Sequence, residues 1–279
     1  MLDKLIEVLS PRRESEDNFS APNMHPGAYR VYGGQVLGQC VAAALATVEH
    51  GRVLHSQHAY FLRPGNSSKD IQFEVERARD GMSFSSRRVV ALQDGKPILV
   101  SSLSFQQGSE GDDYQVDMPQ APPPESLPSE RQLALDAGKL DENFMVVTGE
   151  DLDIRVLEPV DWENPVPREP VLQAWMKTSG PLPDDKGLHQ AMLAYMSDAY
   201  LIDVCLMAHG RTFEGNDFQI ASLDHALWIH EDFRADEWLF HTIEAERISG
   251  GRGLARGSFY TREGRLVATA MQQGVMRFR

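Results

Sequence analysis

Leu54–Phe61 reads LHSQHAYF and Ala221–Trp228 reads ASLDHALW. These two stretches decide the fold, because their surroundings are also written twice. His58-Ala59 and His225-Ala226 match at an offset of 225 − 58 = 167. Cys40 and Cys205, the only cysteines, sit in similar apolar helical segments at an offset of 205 − 40 = 165. Phe73–Gln107 and Thr242–Gln273 each read as strand, Gly turn, strand, Gly turn, and a strand ending in Gln-Gln. An internal duplication of this kind predicts two similar units packed together.

Each unit opens on a helix. Gly34–Val48 (GQVLGQCVAAALATV) is apolar on nearly every face, which belongs inside a protein. Its alanines and Gly38 keep it thin enough for a sheet to wrap closely. Strands follow at Leu54–Leu62, Ile71–Arg79, Ser83–Gln93 and Ile98–Gln106, with Asp80-Gly81 and Asp94-Gly95 as hairpin turns. The second unit repeats the order. A helix over Leu188–Leu206 precedes strands at Gln219–His230, Leu239–Ile248, Gly253–Thr261 and Leu266–Val275. Between the units, Gly108–Arg131 is rich in acid and proline and reads as a linker. Ser129–Leu140 reads as a short helix, and strands are expected at Phe144–Val147, Asp153–Leu157 and Val171–Lys177. The division is therefore an N-terminal repeat over 1–107, a Pro/acid-rich linker over 108–140 and a C-terminal repeat over 141–279. The fold class is α+β, and the two sheets are expected to join side by side into one.

The 279 residues carry a net charge of −14. That argues against nucleic acid as a partner, which wants clustered Lys and Arg. Two cysteines make no disulfide framework, and both read as buried thiols. The N-terminus, MLDKLIEVLS, is a short amphipathic helix without the basic start and long apolar run of a secretory signal. No stretch approaches the ~20 apolar residues of a membrane span. The terminal Met276-Arg277-Phe278-Arg279 is not a peroxisomal address. A cytoplasmic protein is expected.

Asp198 stands out among the residues that could carry chemistry. It falls in the middle of the second predicted helix, with Ala194, Tyr195, Leu201 and Ile202 as helical neighbours. A carboxylate among apolar side chains is poorly solvated and needs a partner. It is either an active-site group or a structural one that caps a loop or pairs with Arg. At an offset of 164 or 165 the first helix holds Gly33 or Gly34, so only one copy has the carboxylate. Ser222 opens the next strand, where the first copy has His55, and no nucleophile elbow surrounds it. Gln272 closes the last strand and offers both a donor and an acceptor. Asp224 and His225 are adjacent on a strand, so they face opposite ways unless a bulge intervenes. The recurrence of His225 as His58 favours core or interface histidines. No His or Cys cluster has metal-ligand spacing, and the Gly-rich stretches do not follow the dinucleotide fingerprint, so neither a metal nor another cofactor is expected.

Six segments together resemble the type II acyl-CoA thioesterases, the bacterial TesB-like family with peroxisomal relatives. They are VYGGQVLGQ (31–39), HSQHAYFLRPG (55–65), DGMSFSSRR (80–88), MSD (196–198), ASLDH (221–225) and QQGVMR (272–277). The resemblance implies a double hot-dog fold, two tandem repeats each wrapping an antiparallel sheet around a long central helix. It implies hydrolysis of acyl-CoA to free fatty acid and CoA. It also implies that Asp198, Ser222 and Gln272 are catalytic and hold the attacking water. Ser222 stands where many bacterial relatives carry Thr, and Gln273 where relatives often carry Glu. Neither departure removes a catalytic group.

The resemblance further implies a homodimer or homotetramer. Arg63, Arg87 and Arg88 are candidates for the CoA phosphates. Two other readings stay open. One is a hot-dog enoyl-CoA hydratase or 3-hydroxyacyl dehydratase, which wants Asp198 beside a histidine with Gln272 pointing away. The other is a non-catalytic acyl-CoA-binding protein.

Overall fold

A computed structural model describes residues 1–108, 111–138, 150–159, 161, 164–211 and 218–278. In chain order the elements are α1 (Leu2–Val8), β1 (Arg12–Arg13), β2 (Asn18–Ala21), α2 (Gly33–Leu45), β3 (Arg52–Phe61), β4 (Ile71–Asp80), β5 (Phe84–Gln93) and β6 (Lys96–Gln107). After the linker, with α3 (Glu130–Asp136), come β7 (Leu152–Val156), β8 (Val171–Thr178), α4 (Lys186–Met196), α5 (Val204–Met207), β9 (Phe218–Ile229), β10 (Leu239–Ser249), β11 (Arg252–Thr261) and β12 (Leu266–Phe278). The strand expected at Phe144–Val147 lies outside the described residues.

The described strands form one 12-stranded sheet in the order β1-β2-β4-β5-β6-β3-β9-β12-β11-β10-β8-β7. The order is the same in both halves when read outward from the centre. β3 and β9 are the seam, paired antiparallel from Ser56↔Trp228 to Tyr60↔Asp224. The duplication therefore closes on itself as a pseudo-two-fold, and the expected side-by-side joining of the sheets is what the chain does. Alternation along the strands explains the wrapping. In β4 the residues Ile71, Phe73 and Val75 are buried while their neighbours are exposed. At the β5–β6 turn, Asp94 and Gly95 take φ +50° and +69°, as a two-residue hairpin turn requires.

One apolar cluster fills the space between the curved sheet and the helices α2 and α4. The helices cross antiparallel at small residues. A Cβ on Gly34 would stand 2.3 Å from the Tyr195 carbonyl oxygen, and one on Gly38 would stand 2.6 Å from that of Ala191. Polar side chains on the buried α2 are satisfied locally. Gln35 bridges Met24 N and Asn23, and Gln39 donates to the carbonyls of Val8 and Pro22.

Two expectations about the repeat are corrected. The second helix is not continuous over Leu188–Leu206. It ends at Met196, and the chain turns over 197–203 with Tyr200 at φ +63° before α5 begins. Cys205 lies on α5 and Cys40 on α2, so the cysteines are not equivalent. The strand offset is also not 167. β3 has a bulge at His55 and β9 has one at Leu223, each left unpaired where the register slips. The bulges superpose at 223 − 55 = 168. His58 accordingly faces out and is exposed, while His225 is buried.

The linker crosses the outer face of the second half. Trp175, Phe240 and Tyr260 are buried there beneath Met118, Ala121 and Leu127. Trp175 Nε1 donates to Pro122 O, and Arg155 donates to the carbonyls of Pro124 and Leu127. At its end α3 delivers Glu130 to the Tyr200 hydroxyl, which donates to it.

Candidate active site

The bulge at Leu223 builds the site. In a regular strand, residues three apart face opposite ways. With one extra residue between them, Ser222 and His225 both face inward. Asp224 faces away and accepts from the Gln273 N–H at 3.1 Å. On the neighbouring strand, Gln272 stands directly opposite His225, and Gly274 opposite Ser222. Gly274 leaves no room for a side chain, because Ile202 Cδ1 occupies the place of its Cβ.

These residues form a hydrogen-bonded chain. Gln272 Nε2 donates to Ser222 Oγ at 2.7 Å. Gln272 Oε1 and His225 Nδ1 are 2.6 Å apart, and His225 Nε2 and Ser197 Oγ are 3.0 Å apart. Gln272 and His225 are each 1% exposed, and Ser197 is fully buried. Burial pulls the His225 pKa down, opposed by the nearby Asp198 charge and the bond to Gln272. Ser197 is the last helical cap of α4 and immediately precedes Asp198.

Asp198 lies in the turn after α4, not mid-helix as the sequence suggested. It is partly buried. Its Oδ2 accepts the Gly34 N–H at 2.8 Å, in the first turn of α2. Tyr32, the N-cap residue of α2, makes no side-chain cap, so Asp198 supplies one from the other half of the protein. One oxygen of Asp198 thus serves as a helix cap. Oδ1 is buried and has no partner within the protein. A Cβ on Gly33 would stand 2.7 Å from Oδ2 and 2.9 Å from the Phe61 ring, so that position admits only Gly without displacement. Close by, burial and the Asp198 charge push the Asp203 carboxyl up to about 7, with Arg30 opposing.

The two halves differ in polarity at these places. Aligned on their bulges, Ser222 corresponds to Leu54 and His225 to Gln57, with 222 − 54 = 225 − 57 = 168. Gln57 pairs across with Leu103 as His225 pairs with Gln272. Gly34 meets Asp198 where Gly187 meets Leu45, with 187 − 34 = 198 − 45 = 153. The first half therefore holds Leu45, Leu54 and Leu103 where the second holds Asp198, Ser222 and Gln272. His55 is the bulged residue itself, not the counterpart of Ser222. Gly33 and Gly34 touch Asp198 rather than replacing it.

The structure brings Ser222 and Gln272 into direct contact and ties both to the Asp198 turn through His225 and Ser197. Sequence reasoning missed His225 and Ser197. The signal was the ASLDH spacing, which joins the site only if a bulge is inserted. Among the arginine candidates, Arg87 is removed. It is 2% exposed and donates to Thr47 Oγ1, to the carbonyls of Thr47, Arg79 and Ser86, and to Asp80. Arg63 donates to Pro97 O, and Arg88 lies 3.5 Å from Glu76 at the surface. A surface hollow of about 660 Å³ is lined by ion-paired side chains such as Lys186, Asp232 and Arg234 and contains none of the site residues.

The arrangement suits water activation. A buried unpartnered carboxylate oxygen accepts a proton, and a fixed hydroxyl and amide direct the oxygen that loses it. Gln272 turns toward Ser222 and His225, opposite to what a hydratase reading requires.

The acyl-CoA thioesterase family model matches residues 163–275, and that of the acyl-CoA thioesterase N-terminal domain matches residues 20–106. Acyl-CoA thioesterase 2 of Haemophilus influenzae is 33% identical, over 100% of this chain and 98% of its own. Acyl-coenzyme A thioesterase 8 of Mus musculus is 34% identical, over 91% of this chain and 82% of its own. The crystal structure of acyl-CoA thioesterase II TesB2 from Mycobacterium marinum superposes with a TM-score of 0.81 at 37% identity, covering 99% and 98% of the two chains.

Proposed function

Since the chain belongs to the acyl-CoA thioesterase family and hydrolyses acyl-CoA to a free acid and CoA, we propose that Asp198, Ser222 and Gln272 of the second half carry that reaction. The observation behind this is the unpartnered Asp198 Oδ1, next in sequence to the Ser197 that bonds His225, while His225 in turn bonds the Gln272 amide that holds Ser222.

A water molecule between Asp198, Ser222 and Gln272 attacks the thioester carbonyl carbon. Asp198 Oδ1 takes its proton as the C–O bond forms, while Oδ2 stays fixed on Gly34 N. Ser222 and Gln272 hold the water oxygen in line, so the encounter is already oriented. The carbonyl oxygen becomes an oxyanion, and first-turn N–H groups of α2 are suited to receive it. Collapse of the tetrahedral intermediate breaks the C–S bond, and the thiolate leaves with the proton returned from Asp198. No acyl-enzyme forms.

The chain divides into repeats over 1–107 and 141–279 with the linker between them, and works as a homo-oligomer in the cytoplasm on an acyl-CoA substrate. No described helix is long and apolar enough to cross a membrane.

The test is release of free thiol from acyl-CoAs, with enoyl-CoA hydration followed in parallel. Thiol release without hydration, lowered about 10²-fold by Ser222→Ala, agrees with the account. Hydration without thiol release sinks it.

A further inference from the structure

His225 lies on β9 directly opposite Gln272 and bonds it. It is 1% exposed. Its two nitrogens reach in opposite directions, Nδ1 to Gln272 Oε1 at 2.6 Å and Nε2 to Ser197 Oγ at 3.0 Å. We propose that His225 is a positioning residue: held as its Nδ1–H tautomer by Ser197, it locks the Gln272 amide with NH2 toward Ser222. The role rests on the assignment of Gln272 and Ser222 to the attacking water.

The geometry carries this through proton bookkeeping. An amide oxygen only accepts, so the nitrogen 2.6 Å from Gln272 Oε1 must bear hydrogen. A buried imidazole with no carboxylate bonded to it is neutral and has one N–H. That hydrogen sits on Nδ1, which leaves Nε2 as an acceptor. Ser197 Oγ is the donor in reach. Its hydroxyl has a second acceptor, the Ala194 carbonyl at 3.0 Å, so its rotation selects between two local bonds. In the Nδ1–H tautomer the Ser197 hydroxyl turns its one hydrogen from the Ala194 carbonyl to Nε2, and the Nδ1–H meets the Gln272 oxygen.

The consequence falls on Ser222. With Gln272 locked, Nε2 donates to Ser222 Oγ and leaves the hydroxyl its own hydrogen and one lone pair for the water. The amide's second N–H lies on the same side. Turned over, the amide would place its carbonyl against Ser222, consume the hydroxyl hydrogen, and set NH2 against the Nδ1–H. Two donors facing each other in a dry interior are unfavourable. His225 thereby decides whether the site offers the water a donor or an acceptor at Gln272. The first half shows the alternative. At the corresponding place Gln57 faces Leu103, and its Nε2 is turned to Leu37 O, where there is no amide to orient.

The test compares variants at His225 with Gln272→Ala, each checked for folding by its melting temperature. Asn places an N–H near the Nδ1 position, whereas Leu supplies none. His225→Leu is expected to lower kcat about 10²-fold with KM for acyl-CoA little changed, a loss of orientation rather than binding. His225→Asn is expected to recover most of that rate. 15N spectra of histidine-labelled protein should show His225 as the neutral Nδ1–H form, and Ser197→Ala should shift it toward a tautomer mixture. A folded His225→Leu at the wild-type rate overturns the proposal, as does an Nε2–H tautomer in the wild type. If His225→Leu does not fold, the wild-type spectrum and the Ser197→Ala variant decide. Gln272→Ala separates the two levels. If it keeps the wild-type rate, the site assignment fails and takes the role of His225 with it. If it is impaired while His225→Leu is not, only the positioning role fails.

Discussion

The backbone N–H of Gly34 donates to Asp198 Oδ2 at 2.8 Å, so the carboxylate of one half of the protein caps a helix of the other. The contact joins residues that a linear reading treats as equivalents in two copies. It holds one oxygen of Asp198 in place, and the other is buried without a partner in the protein. It also explains two glycines at the start of α2, since the carboxylate, the Phe61 ring and the Tyr195 carbonyl fill the space their side chains would need.

Gly33→Ala tests that packing. The new methyl would lie 2.7 Å from Asp198 Oδ2, and the carboxylate is the softer neighbour beside the Phe61 ring. The expected result is a folded enzyme with kcat down about 10²-fold, because displacement by about 1 Å has that cost. Steady-state rates set against melting temperature check it. A rate loss no larger than that explained by unfolding would count against the geometry.

Gln272→Leu imports the first half's Leu103 into the second. The His225 Nδ1–H then loses its acceptor, which costs about 1–3 kcal/mol for a buried donor. Urea denaturation should show that loss, while CoA release falls about 10²-fold or more. Retained activity would mean that the amide does not hold the water.

Glu130→Gln should change how stability depends on pH. Burial pushes the Glu130 carboxyl up to about 7 from an ordinary 4.5, with the Tyr200 hydrogen bond opposing. The folded state therefore keeps a proton that the unfolded state has lost between these values. The stabilisation is full below about 4.5 and disappears as pH rises through about 7. Gln keeps an acceptor for Tyr200 and does not titrate. The stability of wild type relative to the variant should fall by about 3 kcal/mol between pH 4.5 and 8. Parallel curves for the two proteins would contradict this.

Arg87→Met should damage the fold and spare the kinetics. The guanidinium satisfies Thr47, two further carbonyls and Asp80 from inside the first half. Its removal should cost about 2–4 kcal/mol. At a temperature where the variant is folded, KM for acyl-CoA should stay within about 2-fold of wild type, since 2-fold is well under 1 kcal/mol. A large KM change would restore Arg87 as a CoA contact.

Much of the architecture was legible because local chemistry decides it. Asp94-Gly95 adopts the positive φ values of a tight hairpin, and the alternation in Ile71–Val75 places alternate side chains in the core. The all-apolar faces of α2 led correctly to a central helix. What failed depended on distant partners. Nothing in MSDAYLIDV breaks a helix by propensity. The chain turns there because Asp198 is taken by Gly34, Ser197 by His225 and Tyr200 by Glu130, and these bonds support the strained backbone of Tyr200. The bulge at Leu223 left no compositional mark either, and a one-residue slip reverses every face that follows. That slip hid the shared face of Ser222 and His225 and made His58 look like a buried counterpart. Arg87 looked like a surface cation for want of any sign that Thr47 and Asp80 surround it.

The proposed role of Asp198 as base for the attacking water is tested by a single comparison. Free-thiol release from a saturating acyl-CoA would be measured for wild type and for Asp198→Asn, with melting temperatures taken on the same samples. Asn can still accept from Gly34 N, but it cannot take a proton. The account predicts a folded variant with kcat reduced about 10²- to 10⁴-fold, the range for loss of a general base. A folded variant that releases CoA at the wild-type rate would contradict it.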